Sequence, residues 1–343
     1  MKVRSKAPLR LGIAGGGTDV SPYSDTFGGC VLNATINMYA YSYIDDEIEG
    51  NKVYFEAVDL GVSEEIDLGQ SEFGLEGKLK LHRAVYLRVM NDYFGGELKP
   101  LRIITHSDAP AGSGLGSSST VVVSMLQGLT HLYSLPLGEY DLAQLAFSIE
   151  RVDCSLSGGK QDQYAATFGG FNFMEFYANN HVVVNPLRIR RYIVNELESS
   201  LILYFTGTSR DSAKIIDDQI KSLEEDKDSK LEAMHSVKQS AYRIKEHLLK
   251  SDIDAMAADF LEAWESKKKT SSSITNPMIQ EIENEIFNIG AKSMKVSGAG
   301  GGGFMMIFVQ PEKKNIVERK LEQFGGQVYK FQFVEEGAYS WTI

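Results

Sequence analysis

Runs rich in β-forming residues alternate with glycine-rich turns in the first part of the chain: 2–14 (KVRSKAPLRLGIA), 30–45 (CVLNATINMYAYSYID), 52–58 (KVYFEAV) and 101–107 (LRIITHS). They predict a sheet with hairpins. Two helical segments follow, 118–134 (SSTVVVSMLQGLTHLYS) and 139–153 (EYDLAQLAFSIERVD), then two more strand-like runs, 169–177 (GGFNFMEFY) and 181–189 (HVVVNPLRI). The texture changes near residue 196. A strand at 200–207 (SLILYFTG) leads into a helix-rich block from Ser212 to Phe287, broken by Asp- and Ser-containing turns. The chain closes with two strands (291–298 and 303–309), a helix over 311–325 and two short terminal strands. Strands and helices mix without strict alternation, which predicts an α+β architecture rather than a doubly wound sheet. The expected domains are 1–195 and 196–343, with no repeat or low-complexity linker between them.

Composition narrows the function classes. A chain of 343 residues with 43% hydrophobic and 24% charged residues has the size and make-up of a two-domain globular protein. The net charge of −11 argues against a nucleic-acid surface but not against a locally held small anion. The two cysteines, Cys30 and Cys154, read as core residues in a reducing cytoplasm. The N-terminus lacks a secretory apolar core, and no apolar run approaches the roughly 20 residues of a membrane span. The charged run 221–232 (KSLEEDKDSKLE) reads as a solvated helix face or a helix–helix connection.

Three glycine-rich stretches carry the candidate chemistry. In 109–123 (APAGSGLGSSSTVVV), Gly112, Gly114 and Gly116 let backbone N–H groups converge without Cβ obstruction. Ser117, Ser118 or Ser119 would cap the following helix, whose N-terminus favours an anion. The lysine of the common P-loop is missing. In 295–304 (KVSGAGGGGF), Gly298, Gly300 and Gly303 fit G-x-G-x-x-G, yet a strand follows where a dinucleotide fold needs a helix. A close backbone or ligand approach is expected there instead. In 7–19 (APLRLGIAGGGTD), Gly15, Gly16 and Gly17 leave space beside Thr18 and Asp19.

Together these stretches resemble the three signature motifs of the GHMP kinase family. Pro110–Ser118 fits its central P-x-G-x-G-L-G-S-S, Lys295–Gly303 fits its K-x-S-G-A-G-x-G-G, and APLR stands where the family has A-P-G-[RK]. The resemblance implies a ribosomal S5 domain 2-like N-terminal domain and a ferredoxin-like α/β sandwich after it. It also implies an ATP- and Mg²⁺-dependent small-molecule kinase. ATP would lie on Gly112, Ser113, Gly114, Leu115, Gly116, Ser117, Ser118 and Ser119. Glu150 and Ser118 would hold Mg²⁺, Asp162 would act as base on the acceptor hydroxyl, and Arg10 would offset developing charge.

Galactokinases carry Glu-His-Thr-Asp where this chain has Gly16, Gly17, Thr18 and Asp19, so galactose is not expected. The strings LRLGIAGGGTDVSPY, GGKQDQYAATFGG and YFTGTSRDSA resemble the sugar-1-kinase branch whose acceptors include a heptose 7-phosphate. Such an acceptor needs a second anion site, for which Arg210, Arg83 and Lys160 are the cations, with Thr208 and Ser209 as hydroxyl donors. Gly16, Gly17, Thr18, Asp19, Gly298, Ala299, Gly300 and Gly301 complete the expected acceptor site. Tyrosines within 37–45 read as a strand face, with stacking on adenine as the other possibility. The implied partners are ATP and a sugar phosphate, with no nucleic acid or membrane, and a homodimer is possible. A kinase of fucose or another free hexose, or an inactive sugar-binding regulator, are the competing readings.

Overall fold

The computed structural model describes residues 1–69, 73–208, 212–225 and 227–343. The first part of the chain runs β1 (Lys2–Ala14), α1 (Tyr23–Phe27), β2 (Gly29–Asp45), β3 (Lys52–Ala57), β4 (Val62–Asp67), α2 (Lys80–Phe94) and β5 (Leu101–Ser107). It continues through α3 (Ser117–Tyr133), α4 (Glu139–Ser148), a π-helical turn (Ile149–Asp153), α5 (Gln161–Phe168), β6 (Phe171–Phe176), β7 (Val182–Pro186) and α6 (Arg191–Ser200). The rest comprises β8 (Leu201–Phe205), α7 (Ser212–Glu225), α8 (Lys227–Lys250), α9 (Ile253–Lys268) and α10 (Pro277–Asn288), followed by β9 (Ala291–Val296), β10 (Phe304–Val309), α11 (Lys314–Leu321), β11 (Gln327–Tyr329) and β12 (Tyr339–Thr342).

The expected strands form, and β4, α1, α2, α5 and α6 are additional. Eight strands build the first sheet in the order β12-β1-β2-β5-β3-β4, with β6 on β2 and β7 on β6. The long β2 makes this branching possible. Its first half, Gly29–Ala34, pairs with β6, and its second half, Ala40–Asp45, pairs with β5. Only β3 and β5 run parallel. The second sheet is antiparallel with order β11-β8-β10-β9, so its strands count 4-1-3-2 in chain order. That is the β-α-β-β-α-β arrangement of a ferredoxin-like unit, with α7 to α10 inserted in its first crossover.

Burial explains the pairing of layers. β1 alternates exposed and buried residues at its start, then is buried on both faces from Ala7 to Ala14. A cluster with Val122, Leu126, Val85 and Phe55 fills one face of the first sheet, where α2 and α3 pack. A second cluster joins Leu9 and Leu32 of the first sheet to Phe260, Phe304 and Phe308 of the second part, so one apolar core runs between the two. A third, with Trp264, Ile282 and Ile307, fills the other face of the second sheet. The C-terminal strand β12 returns to pair with β1 through Val3–Lys6. Cys30 and Cys154 are buried free thiols. Among the described residues, no helix is long and apolar enough to cross a membrane.

Candidate active site

The three glycine-rich stretches converge on one cleft of about 480 Å³. Arg10 is the first element of its geometry. The register of β1 against β2 shifts between Pro8 and Arg10, and such irregularities re-aim side chains. The buried Arg10 guanidinium donates through Nε to Asp162 Oδ1 at 2.7 Å, with Nη2 2.6 Å from the same oxygen. Its Nη1 donates to the Gly114 carbonyl at 2.7 Å and to Ser297 Oγ at 3.3 Å. One side chain therefore ties the base position to the central loop and the C-terminal glycine loop. Asp162 stands in the first turn of α5 and keeps its second oxygen towards Gly116.

The two glycine loops interlock through their backbones. Ser297 Oγ donates to Gly114 O at 2.9 Å, and Phe304 N donates to Ser113 O at 2.9 Å. Gly114 has φ +85°, and a Cβ there would lie 2.5 Å from the Ser297 carbonyl oxygen. Only glycine fits both the left-handed backbone and the approach. The serines do not cap α3 as expected from the sequence. The cap is Gly116, which has no side chain, and Ser117 to Ser119 form the first helical turn. The first N–H groups of a helix lack internal partners, so an uncapped N-terminus facing a cleft suits an anion.

Behind this turn lies Glu150, in the π-helical turn after α4 and almost fully buried. It accepts a hydrogen bond from Gln163 Nε2, which also donates to Ser119 Oγ at 3.1 Å. Burial raises its pKa, against the opposing pull of Arg151, whose Nη1 is 3.9 Å away. A cation would restore the charged form. Among the described residues, no three or more His, Cys, Asp and Glu side chains are grouped so that they could hold a metal ion by themselves. The donor set is one carboxylate and neighbouring hydroxyls, which fits a hard divalent ion completed by phosphate oxygens and water.

At the other end of the cleft, Asp19 is buried, lines the cavity and is held by backbone donors. Its Oδ2 accepts from Lys160 N at 2.9 Å and Gln161 N at 3.1 Å, and its Oδ1 from Gly17 N at 3.1 Å. A Cβ on Gly159 would overlap this carboxylate. Lys267, from the last turn of α9, also lines the cleft, donating to Gly298 O and buried to 5% exposure. Burial and nearby Arg10 lower its pKa to about 8, with Asp19 opposing.

The cleft thus brings together Arg10, Gly17, Asp19, Gly112, Gly114, Gly116, Ser117, Ser118, Ser119, Glu150, Asp162, Gly298 and Ala299. Other expected residues do not line it. Leu115 and Ser113 are buried behind the loop. Thr18 is buried, and its hydroxyl bonds Gly15 O at 2.8 Å and Cys30 O at 2.9 Å. Gly16 lies beside the Gln161 side chain, and Gly300 and Gly301 pack on Ile274, with Gly301 N donating to its carbonyl at 2.7 Å. Thr208 accepts from Gly303 N at 2.9 Å, bracing the loop. Lys160 reaches Asp19 only through its backbone; its ammonium is buried over Phe147, and burial lowers its pKa. Arg83 is paired with Glu64 at 2.9 Å through both Nε and Nη2, away from the cleft, which corrects its expected role as a phosphate ligand. Arg210 and Ser209 lie outside the described residues.

Residues that sequence reasoning missed include Arg151, Gly158, Gln161, Ile216, Gln219 and Lys267. An apolar groove of about 240 Å³ was also missed. It runs past Ala57, Leu60, Leu79 and Val121 and shares Ala111, Ser117 and Ser118 with the cleft, so its shape would suit a flat heterocycle attached to an anion in the cleft. The tyrosines of β2 are elsewhere: Tyr39 packs under Lys6 and Tyr41 on His106.

Comparison with known proteins agrees with this geometry. Residues 80–170 match the GHMP kinases N terminal domain, and residues 244–327 match GHMP kinases C terminal. The chain is 45% identical to a D-glycero-alpha-D-manno-heptose 7-phosphate kinase of Campylobacter jejuni, over 99% of both chains. It superposes on the crystal structure of a D-glycero-D-manno-heptose 1-phosphate kinase from Bacteroides thetaiotaomicron with a TM-score of 0.83 and 46% identity, covering 99% of each chain. A phosphomevalonate kinase of Streptococcus pneumoniae shares the fold at 15% identity and a TM-score of 0.74, over 97% of this chain and 100% of that one. End-to-end likeness at this level, on top of the two matched domains, makes the chain a kinase that belongs to the GHMP kinase family.

Proposed function

We propose that the protein transfers the γ-phosphoryl group of ATP to the anomeric hydroxyl of D-glycero-D-manno-heptose 7-phosphate, in the cytoplasm, giving the 1,7-bisphosphate for nucleotide-activated heptose synthesis. The observation that carries the acceptor is the 45% identity over 99% of both chains with a heptose 7-phosphate kinase. The cleft supports the chemistry independently. The apolar groove takes the adenine, and the N-terminus of α3 with Gly112 to Ser119 takes the triphosphate.

Mg²⁺, when bound by Glu150 and Ser118, neutralises charge on the phosphate oxygens. Asp19, rigidly held by three backbone N–H groups, anchors sugar hydroxyls. Asp162 orients the attacking hydroxyl and takes its proton through the oxygen not engaged by Arg10. Arg10 lies between Asp162 and the central loop, where it offsets negative charge developing on the transferred group.

The test is ADP release across heptose 7-phosphate, fucose and other free hexoses, with ³¹P NMR of the product. Rapid turnover of the sugar phosphate and a new anomeric phosphate signal are expected. Activity confined to free hexoses would overturn the acceptor assignment and leave the kinase chemistry intact.

A further inference from the structure

The cleft is lined by three described cations, Arg10, Arg151 and Lys267, and their existing partners differ. Arg10 is committed to Asp162, Gly114 and Ser297. Arg151 donates to the carbonyls of Leu156 at 3.4 Å and Gly159 at 3.3 Å, beside Glu150. Among the described residues, Lys267 meets one carbonyl, Gly298 O, and no carboxylate within ion-pair distance. An ammonium has three donors, so two remain. A buried cation without a counter-charge is costly to hold, and the cost is ordinarily offset by a partner.

Lys295 shows the structural alternative. It is also buried, without an acidic partner, but it donates to Gly12 O at 2.8 Å and Ile13 O at 3.0 Å and does not line the cleft. Its role is to tie β9 to the end of β1. Lys267 instead lines the open cleft together with Asp19, Gly298, Ala299, Ile216 and Gln219. Its position is fixed from behind: Thr270 Oγ1 donates to Lys267 O at 2.8 Å and accepts from Gln219 Nε2 at 2.8 Å.

We infer that Lys267 is the residue that binds the acceptor's own phosphate, and so sets the preference for a phosphorylated over a free sugar. The inference rests on the proposed acceptor. The phosphate dianion supplies an ion-pair partner that the described residues do not, and binding it fills the two remaining ammonium donors.

The experiment is steady-state kinetics of Lys267→Met and Lys267→Arg with heptose 7-phosphate and with the same heptose lacking the phosphate. Wild-type turnover of the phosphorylated sugar is the prior check on the acceptor itself; its absence would fail the proposed function rather than this assignment. Given that turnover, Lys267→Met is expected to raise KM for the phosphorylated sugar by about 100-fold, the scale of a lost charge-assisted contact. The KM for the dephosphorylated sugar and for ATP should change less than threefold, roughly the margin of a neutral site. Lys267→Arg should recover part of the loss. An equal rise for both sugars would overturn the inference, as would a fall in kcat with KM unchanged, which would put the ammonium on the transferred group. Circular dichroism and retained ATP affinity distinguish either result from misfolding.

Discussion

In the proposed reading, the two ends of the cleft hold their ligands by different means. The triphosphate end is made of backbone: one continuous stretch, Gly112–Ser119, turns into the N-terminus of α3, and its glycines interlock with Ser297 and Gly298. The acceptor end is made of side chains from distant elements, with Asp19 from the loop after β1, Gln161 from α5, Gln219 from α7 and Lys267 from α9. A backbone cradle reads only the shape and charge common to every nucleoside triphosphate. Side chains on separate elements can be changed one at a time. On that reading chemistry would be confined to the fixed end and selectivity to the variable one, with the Arg10–Asp162 pair at the seam between them.

The seam gives the largest expected effect. Asp162→Asn keeps the volume but removes proton acceptance, so kcat should fall by about 10²–10⁴ with nucleotide affinity kept. Turnover by quenched flow and ATP binding by calorimetry check this. Unchanged turnover would remove Asp162 from the reaction and favour a binding role for the protein.

The two ends should then separate through one methyl group each. At Gly114 a Cβ strikes the Ser297 carbonyl in a left-handed backbone, and at Gly159 it strikes the Asp19 carboxylate. Overpacking of this kind costs about 1–3 kcal/mol. Gly114→Ala is expected to raise KM for ATP most, and Gly159→Ala to raise KM for the sugar most, by up to about 100-fold each at that cost. Crossed effects, with Gly159→Ala weakening ATP more than sugar, would break the division of labour.

The same division decides what could be read from the chain alone. The backbone end is local in sequence, and glycine spacing before an apolar helix signals it directly; Arg10, Asp19, Glu150 and Asp162, expected from the family resemblance, line the same cleft. The acceptor end is assembled by tertiary packing. Nothing in the spacing of the KKK run distinguishes Lys267 from Lys268, which pairs with Glu265 and Glu283 on the outside. Helical phase turns one inward and the other out. Arg83 was misread for the converse reason: it belongs to α2, an unrecognised helix whose packing directs it to Glu64. Local signals also overstate exposure in loops, as with Thr18, whose hydroxyl serves the turn rather than a ligand.

The smallest expected effect tests the acceptor end without a mutation at first. Lys267 has its pKa lowered to about 8, by burial foremost and then by Arg10, with Asp19 opposing. The charged groups that face it are Arg10 from β1, Asp19 from the following loop and Lys295 from β9. The ammonium is charged below that pH and neutral above it, and an anion binds the charged form. KM for heptose 7-phosphate should therefore stay flat up to about pH 8 and then climb, by at most about tenfold per pH unit. A sugar phosphate is fully ionised there, since its second pKa is about 6, so the acceptor adds no inflection of its own. Lys295, whose pKa is also lowered by burial, holds the Gly12 and Ile13 carbonyls, and its deprotonation would affect any acceptor alike. The dephosphorylated sugar separates the two: its KM should remain level where that of the phosphate climbs. In Lys267→Arg the climb should vanish, because a guanidinium keeps its charge throughout this range. A climb that persists in that variant would assign the titration to another group and leave the phosphate without its reader.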